Sequence, residues 1–136
     1  MADGPASSAR RAAHQLARER GQALGERVRT QRRPGRLGPD RALTVANELL
    51  AACGYAPTRA PTQRQLLMRN CPFQRLARRA PELVCSLNQE FLAGLLAGLR
   101  APRIEASFQP DPARCCVLVQ APVRYGTNRR TTWPRE

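Results

Sequence analysis

The residues of this chain best suited to chemistry are its five cysteines, Cys53, Cys71, Cys85, Cys115 and Cys116. The thiolate form of cysteine binds soft metals and iron–sulfur clusters and takes part in redox exchange. Cys71 and Cys85 are expected near helix starts, where free backbone N–H groups and the helix dipole favour the thiolate. Cys53 lies on the apolar face of a predicted helix, so we interpret it as a packing residue.

Cys115 and Cys116 are adjacent at the start of a predicted strand, so their side chains point to opposite faces of the sheet. Only one of them can join a common site with Cys71 and Cys85. Three thiolates suit an iron–sulfur cluster with one further ligand, or a zinc site completed by another group. The chain has no Cys-x-x-Cys pair. A redox thiol pair and plain burial as small hydrophobic residues therefore stay open as alternatives.

Helical and strand patterns follow one another in a definite order along the chain. Apolar residues recur every three or four positions in some segments and alternate in others. Asp40 is expected to cap one helix and Gly54 to end it, while Tyr55 and Phe73 are expected in the core. The predicted helices cover residues 9–29, 40–53, 72–80 and 82–99, and the predicted strands cover 55–60, 65–69, 104–109 and 115–120.

This order predicts an α+β domain in which a small antiparallel sheet packs with helices. Gly94 and Gly98 weaken the last helix, which indicates close packing against a neighbour. His14 is expected on a separate linker helix, too remote to complete a zinc site. Four segments are expected along the chain. They are a disordered start (1–8), an Arg-rich linker or dimerisation helix with its connector (9–36), a cysteine-containing effector domain (40–120) and a disordered tail (121–136).

The net charge of +13 suggests a polyanionic partner, and all 23 basic residues are arginine. The charge is spread over the chain, with about +6 in residues 1–36, +4 in 37–100 and +3 in 101–136, whereas a dedicated nucleic-acid face would concentrate it. Aromatic residues make up only 4% of the chain, which leaves little to stack on bases. A weak nucleic-acid site is assigned to Arg27, Arg29, Arg32, Arg33 and Arg36.

The sequence offers little for catalysis or for membrane insertion. It has no Ser-His-Asp set and no Gly-rich phosphate loop, and His14 is its only histidine. The longest mostly apolar stretch, residues 91–99, is too short to cross a bilayer, and the N-terminus lacks the apolar run of a secretory signal. We therefore expect a cytoplasmic protein that is not an enzyme.

Several stretches together form a pattern that includes Asn-Cys-Pro-Phe and Cys-Cys-Val; they are residues 67–73, 76–77, 81–85, Asn88 and 114–117. This pattern resembles the C-terminal domain of actinobacterial winged helix-turn-helix regulators, the SufR-like repressors that sense iron–sulfur cluster status. The resemblance covers roughly residues 9–120. It implies a dimeric regulator in which Cys71, Cys85 and one of Cys115 or Cys116 hold a cluster that biases DNA binding.

The chain departs from that family at its N-terminus, because no recognition helix precedes the predicted linker helix. We therefore expect a sensor part without its DNA-binding domain, which pairs with itself or with a full-length relative and contacts DNA only indirectly or weakly. Zinc in place of the cluster is an alternative. So is a small basic nucleic-acid-binding or protein-interaction domain with purely structural cysteines.

Overall fold

The computed structural model describes residues 5–60, 64–109, 115 and 117–121. Its elements occur in the predicted order, and they confirm an α+β fold with a small antiparallel sheet. Nearly all of the predicted tail lies outside the described residues. The elements are α1 (Pro5–Arg32), α2 (Pro39–Ala52), β1 (Pro57–Ala60), β2 (Gln65–Met68), α3 (Gln74–Arg79), α4 (Pro81–Leu99), β3 (Glu105–Phe108) and β4 (Val117–Gln120).

The four strands form one sheet in the order β1-β2-β4-β3, with antiparallel neighbours throughout. Leu66 and Met68 of β2 are fully buried, as are Val117 and Val119 of β4. These side chains alternate with the residues of the opposite face, as a pleated strand requires. The sheet therefore presents one apolar face to the helices, and its two central strands, β2 and β4, contribute most of that face.

Helix α4 lies at the centre of the fold and contacts α1, α3, β3 and β4. Leu92, Leu95 and Leu99 follow helical spacing and are buried in the core that includes the sheet. Asn88, one turn before Leu92, is also buried and is the one polar residue among the described buried side chains. No helix in the described part of the chain is long and apolar enough to span a bilayer.

The other side of α4 packs against α1 through glycines, which confirms the close packing predicted for Gly94 and Gly98. The neighbour is the helix predicted as a linker, and that helix begins within the segment predicted as a disordered start. A Cβ on any of four glycines would overlap a backbone carbonyl oxygen of the facing helix; the pairs are Gly21 with Phe91, Gly25 with Leu95, Gly94 with Arg18 and Gly98 with Gln22. The two backbones therefore touch directly.

The N-cap of helix α2 lies two residues earlier than predicted. Its N-cap is Gly38, and Pro39 occupies the first helical position, where its fixed φ angle suits a helix start. Asp40 is thus inside the first turn rather than at the cap, and its carboxylate pairs with Arg59 at 3.4 Å. The predicted stop is confirmed, because Gly54 has a φ of +97° immediately after the helix.

Of the two aromatic residues predicted in the core, Tyr55 is buried, at 5% exposure. The prediction for Phe73 was wrong, because its side chain is 47% exposed. Phe73 immediately precedes the short helix α3, which packs against α4. Apolar side chains on the outer side of this segment, including Leu76 at 59% exposure, therefore face away from the core.

Replacing Gly94 by Ala tests the contact between α1 and α4. At an open helix position the change would stabilise the protein by about 1 kcal/mol. Here the new methyl group would meet the Arg18 carbonyl oxygen, so we expect the free energy of unfolding to fall by about 2 kcal/mol. Urea denaturation followed by circular dichroism measures it.

Gly38→Ala is the matched control, since nothing lies within 4 Å of the added Cβ. Its free energy of unfolding should change by less than about 1 kcal/mol. A Gly94→Ala protein as stable as the wild type would mean that the two backbones do not touch.

Candidate functional site

Cys71 and Cys115 lie together at one end of the two central strands. Cys71 follows β2 by three residues, and Cys115 precedes β4 by two. Because β2 and β4 are antiparallel, the end of one meets the start of the other. The backbone N–H of Cys115 donates to the carbonyl of Met68 at 3.0 Å, which continues the strand pairing. The side chains of Cys71 and Cys115 are neighbours at this end of the sheet.

Asn88 connects this thiol pair to helix α4. Its side-chain Nδ2 donates a hydrogen bond to Cys115 Sγ at 3.1 Å. Its Oδ1 accepts a hydrogen bond from the hydroxyl of Tyr55. Asn88 is 2% exposed and Tyr55 is 5% exposed, so both polar groups are satisfied inside the core and away from solvent. The result is a buried polar chain that runs from Tyr55 through Asn88 to Cys115.

The sequence prediction missed this chain. Tyr55 was expected only as a core residue, and Asn88 entered only as part of the family resemblance. The one available signal was a single amide on the leucine-rich side of a helix, since a buried polar group must find a partner. The partners of Asn88 are Tyr55 and Cys115, which lie 33 and 27 positions away along the chain.

The surroundings of the buried groups favour their protonated forms. Burial raises the pKa of the Cys115 thiol, although hydrogen bonds from the backbone of Val117 and from Asn88 act in the opposite direction. Burial also raises the pKa of Tyr55, and the nearby thiols add to this shift. Tyr55 therefore keeps its proton and donates a hydrogen bond to Asn88 Oδ1. Burial raises the pKa of Cys53 as well.

Asn70 fixes the segment that carries Cys71. Its Oδ1 accepts a hydrogen bond from the backbone N–H of Ala56 at 2.7 Å, and its Nδ2 donates to the carbonyl of Gly54 at 3.3 Å. The backbone N–H of Arg69 donates to the carbonyl of Ala56 at 3.0 Å. Asn70 thus ties the residues before Cys71 to the loop between α2 and β1.

Cys85 lies on α4 one turn before Asn88, a spacing that places the two side chains on the same side of the helix. It is disulfide-bonded, whereas Cys53, Cys71 and Cys115 are free thiols. It is the fifth residue of α4, which begins at Pro81, so it lies near the start of this helix. Cys53 is half-buried and packs against the core, as predicted.

His14 is not remote from the cysteines, contrary to expectation. Because α1 lies along α4, His14 Nε2 is 2.9 Å from the Ser86 hydroxyl, next to Cys85 in sequence. The Ser86 hydroxyl itself donates to the carbonyl of Leu83 at 2.9 Å. The Ser86 hydroxyl thus joins His14 of α1 to the α4 backbone next to Cys85.

The structure thus brings together two of the four predicted metal-ligating cysteines, Cys71 and Cys115. Cys85 lies one helical turn from the Asn88 amide, and Cys116 lies outside the described residues. Within the described ranges, no group of three or more His, Cys, Asp or Glu side chains is arranged to hold a metal ion. The two free thiols are adjacent sulfur donors. They can supply two of the ligands of a soft metal, or they can take part in thiol–disulfide exchange.

Two of the arginines assigned to a nucleic-acid site make contacts within the chain. The guanidinium of Arg29 donates to the carbonyls of Leu99 and Gly35, both at 2.9 Å, and so joins α1 to the end of α4. Arg32 pairs with Glu48 of α2. The remaining three, Arg27, Arg33 and Arg36, are exposed. Two of the five arginines therefore have a structural role, and three are exposed to solvent.

In comparisons with known proteins, no family model, no curated protein and no solved structure matches this chain.

Differential alkylation tests the environment of the thiols. With iodoacetamide and no reductant, we expect the half-buried Cys71 to react in the native protein, while Cys115, at 2% exposure, reacts only after unfolding. The raised pKa of Cys115 acts in the same direction, because the thiolate is the reactive form. Cys85 should stay unmodified until the disulfide is reduced.

Mass spectrometry of the tryptic peptides gives the order of modification, and fragment ions separate Cys115 from Cys116. Labelling of Cys115 at the same rate as Cys71 in the folded protein would contradict the buried arrangement.

Proposed function

We propose that this chain is the sensor part of a bacterial transcriptional regulator, which binds an iron–sulfur cluster, or zinc as the alternative, through its cysteines. The proposed ligands are Cys71, Cys85 and one of Cys115 or Cys116. The observation that carries the proposal is the proximity of Cys71 and Cys115, which lie far apart in sequence and are neighbours at the end of the sheet. The role is binding rather than catalysis, in the cytoplasm.

The chemistry of the donors fits a soft metal. Thiolates favour zinc and iron–sulfur clusters over hard cations such as magnesium or calcium. The two adjacent sulfurs of Cys71 and Cys115 are a partial site, and both ligand types require at least three protein donors. Cys85 is the nearest candidate for the next donor, because it lies one helical turn before Asn88, which contacts Cys115.

Cys85 can bind metal only after its disulfide is reduced, because the thiolate is the ligand. A cellular dithiol would supply two electrons and two protons and become a disulfide itself, while the Cys85 disulfide would become two thiols. The reducing cytoplasm favours this direction. In this proposal the metal-binding form is the reduced form, and the disulfide form does not bind metal.

The chain's own residues would then prepare the site in three ways. Asn70 positions the segment of Cys71, the core around Cys115 excludes water, and Asn88 donates a hydrogen bond to the sulfur. A bound cluster would supply a group whose presence depends on iron, sulfide and oxidants, which is the property that a sensor requires. The ligands would release their thiol protons when the metal binds.

The proposed output passes through α4 to α1. Cys85 and Asn88 are both on α4, and the glycine contacts join the backbone of α4 to that of α1. The family resemblance makes α1 the helix that follows the DNA-binding domain. A small movement of α4 on metal binding would therefore shift α1, and in a dimer this would change the spacing of two DNA-binding parts. A homodimer or a pair with a full-length relative fits this scheme.

The test is anaerobic purification with a dithiol reductant, followed by an absorption spectrum and iron, sulfide and zinc analysis of the same sample. We expect bound cluster or zinc in the wild type and its loss in Cys71→Ser, Cys85→Ser and Cys115→Ser. Cys53→Ser is the matched control and should keep the metal, because Cys53 packs against the core at the end of α2. Stoichiometric metal in the first three variants would overturn the ligand assignment, and a reduced wild type without metal would overturn the proposal.

A further inference from the structure

Helix α3 and the residue before it expose two neighbouring apolar side chains. Among the described residues three large apolar side chains are exposed, and two of them, Phe73 and Leu76, belong to the same helical turn. The backbone N–H of Ala77 donates to the carbonyl of Phe73 at 2.8 Å, which makes Phe73 part of that turn. Single apolar residues are normal on a protein surface, whereas a group of them beside polar residues is typical of an interaction site.

The same segment concentrates positive charge. Residues 49–81 contain six arginines and no acidic residue. Two of these arginines pair with Asp40. Three others lie in α3, are exposed, and take part in none of the ion pairs within the described part of the chain; they are Arg75, Arg78 and Arg79. Their guanidinium groups are therefore available to a partner.

The apolar and basic side chains form one continuous surface. Arg79 follows Leu76 by three residues and Arg75 by four, and side chains at these spacings are neighbours on a helix. Helix α3 packs against α4, and Ala77 is half-buried. The exposed side chains are called the α3 surface, which consists of Phe73, Arg75, Leu76, Arg78 and Arg79.

Charge restricts what can cover the α3 surface. The whole chain has a net charge of +13, so a second copy would bring like charge to like charge. The partner must therefore be acidic. A nucleic acid offers phosphates to the arginines, but its backbone has no apolar group to bury Leu76. An acidic protein segment with an apolar stripe offers both, because carboxylates pair with guanidinium groups and apolar side chains cover Leu76 and Phe73.

We propose that the α3 surface is the docking site for an acidic amphipathic helix of a partner protein. Phe73 and Leu76 would form the buried centre of this contact, and the three arginines would form its charged rim, as in other protein–protein interfaces. The inference goes beyond the proposed function. It does not depend on a bound metal or on any cysteine.

A fluorescently labelled synthetic peptide is the probe. It has about 20 residues, enough for a helix, with leucine at i, i+3, i+4 and i+7 spacing and with glutamate and alanine elsewhere. A second peptide has the same composition, but its leucines are dispersed around the helix. Fluorescence anisotropy with the full chain measures both affinities. We expect the first peptide to bind about tenfold more tightly, because only its leucines can cover Leu76 and Phe73 together.

Substitutions of exposed residues test the two parts of the α3 surface. Leu76→Ala should weaken binding of the first peptide by about tenfold, because it removes an apolar group from the centre of the contact. Arg79→Gln should weaken it by about threefold and make it less sensitive to salt. The matched controls are Leu16→Ala, a leucine of similar exposure at 52% on α1, and Arg36→Gln, an exposed arginine outside α3. Both controls should bind as the wild type does.

Two other acidic partners are compared with the peptide in the same assay, random-sequence duplex DNA and vesicles that contain phosphatidylserine. Tighter binding of either one, with a loss in Arg79→Gln and none in Leu76→Ala, would overturn the inference in favour of a polyanion site. Equal binding of the two peptides, or equal losses in Leu76→Ala and Leu16→Ala, would also overturn it. These results leave the proposed function intact, since its test is the metal content of the cysteine variants.

Discussion

The direct contact between the backbones of α1 and α4 is the constraint on which the rest of the molecule depends. Glycines on both helices remove the side chains that would hold the helices apart, so α4 lies against α1 on one side and against the sheet on the other. Because the two backbones are in direct contact, α4 cannot slide past α1 without clashing, so the two helices move together. Asn88 and Cys85 are therefore carried at fixed positions on a rigid element.

The site follows from two independent constraints that meet at Cys115. Antiparallel pairing of β2 with β4 brings Cys115 beside Cys71, and the packing of α4 over the same sheet brings Asn88 to its sulfur. Neither constraint alone would produce the contact. A polar chain from Tyr55 to Cys115 inside an apolar core lowers stability unless every member is satisfied. Here each member has a partner, because Tyr55 donates to Asn88 and Asn88 donates to the Cys115 sulfur.

Local patterns were sufficient to predict the elements of the fold. Proline and the leucine spacing marked α4, Gly54 marked the end of α2, and alternation marked β3. These signals depend only on near neighbours in sequence, and the order of elements follows from them. The proximity of Cys71 and Cys115 has a related origin, since both lie at strand ends in an antiparallel sheet.

The contacts of α1 could not be predicted in the same way. The apolar stripe of α1 is thin, with Leu24 and Val28 against the core, and much of the remaining contact is made by the backbone at glycines. For that reason α1 was interpreted as a linker. His14 was misplaced as a consequence. Phe73 was misplaced because residue type does not reveal which side of a short helix faces the core. The partner of Asn88 depends on strand pairing distant in sequence, which no local pattern contains.

The central claim is that Cys71 and Cys115 together bind a soft metal, and X-ray absorption at the metal edge tests it most directly. The reduced protein is loaded anaerobically, and the number of sulfur atoms in the first coordination shell is compared between wild type and Cys71→Ser. The account predicts a sulfur-dominated shell in the wild type that loses one sulfur in the variant. A shell of nitrogen and oxygen alone, or a sulfur count that the substitution does not change, would contradict it.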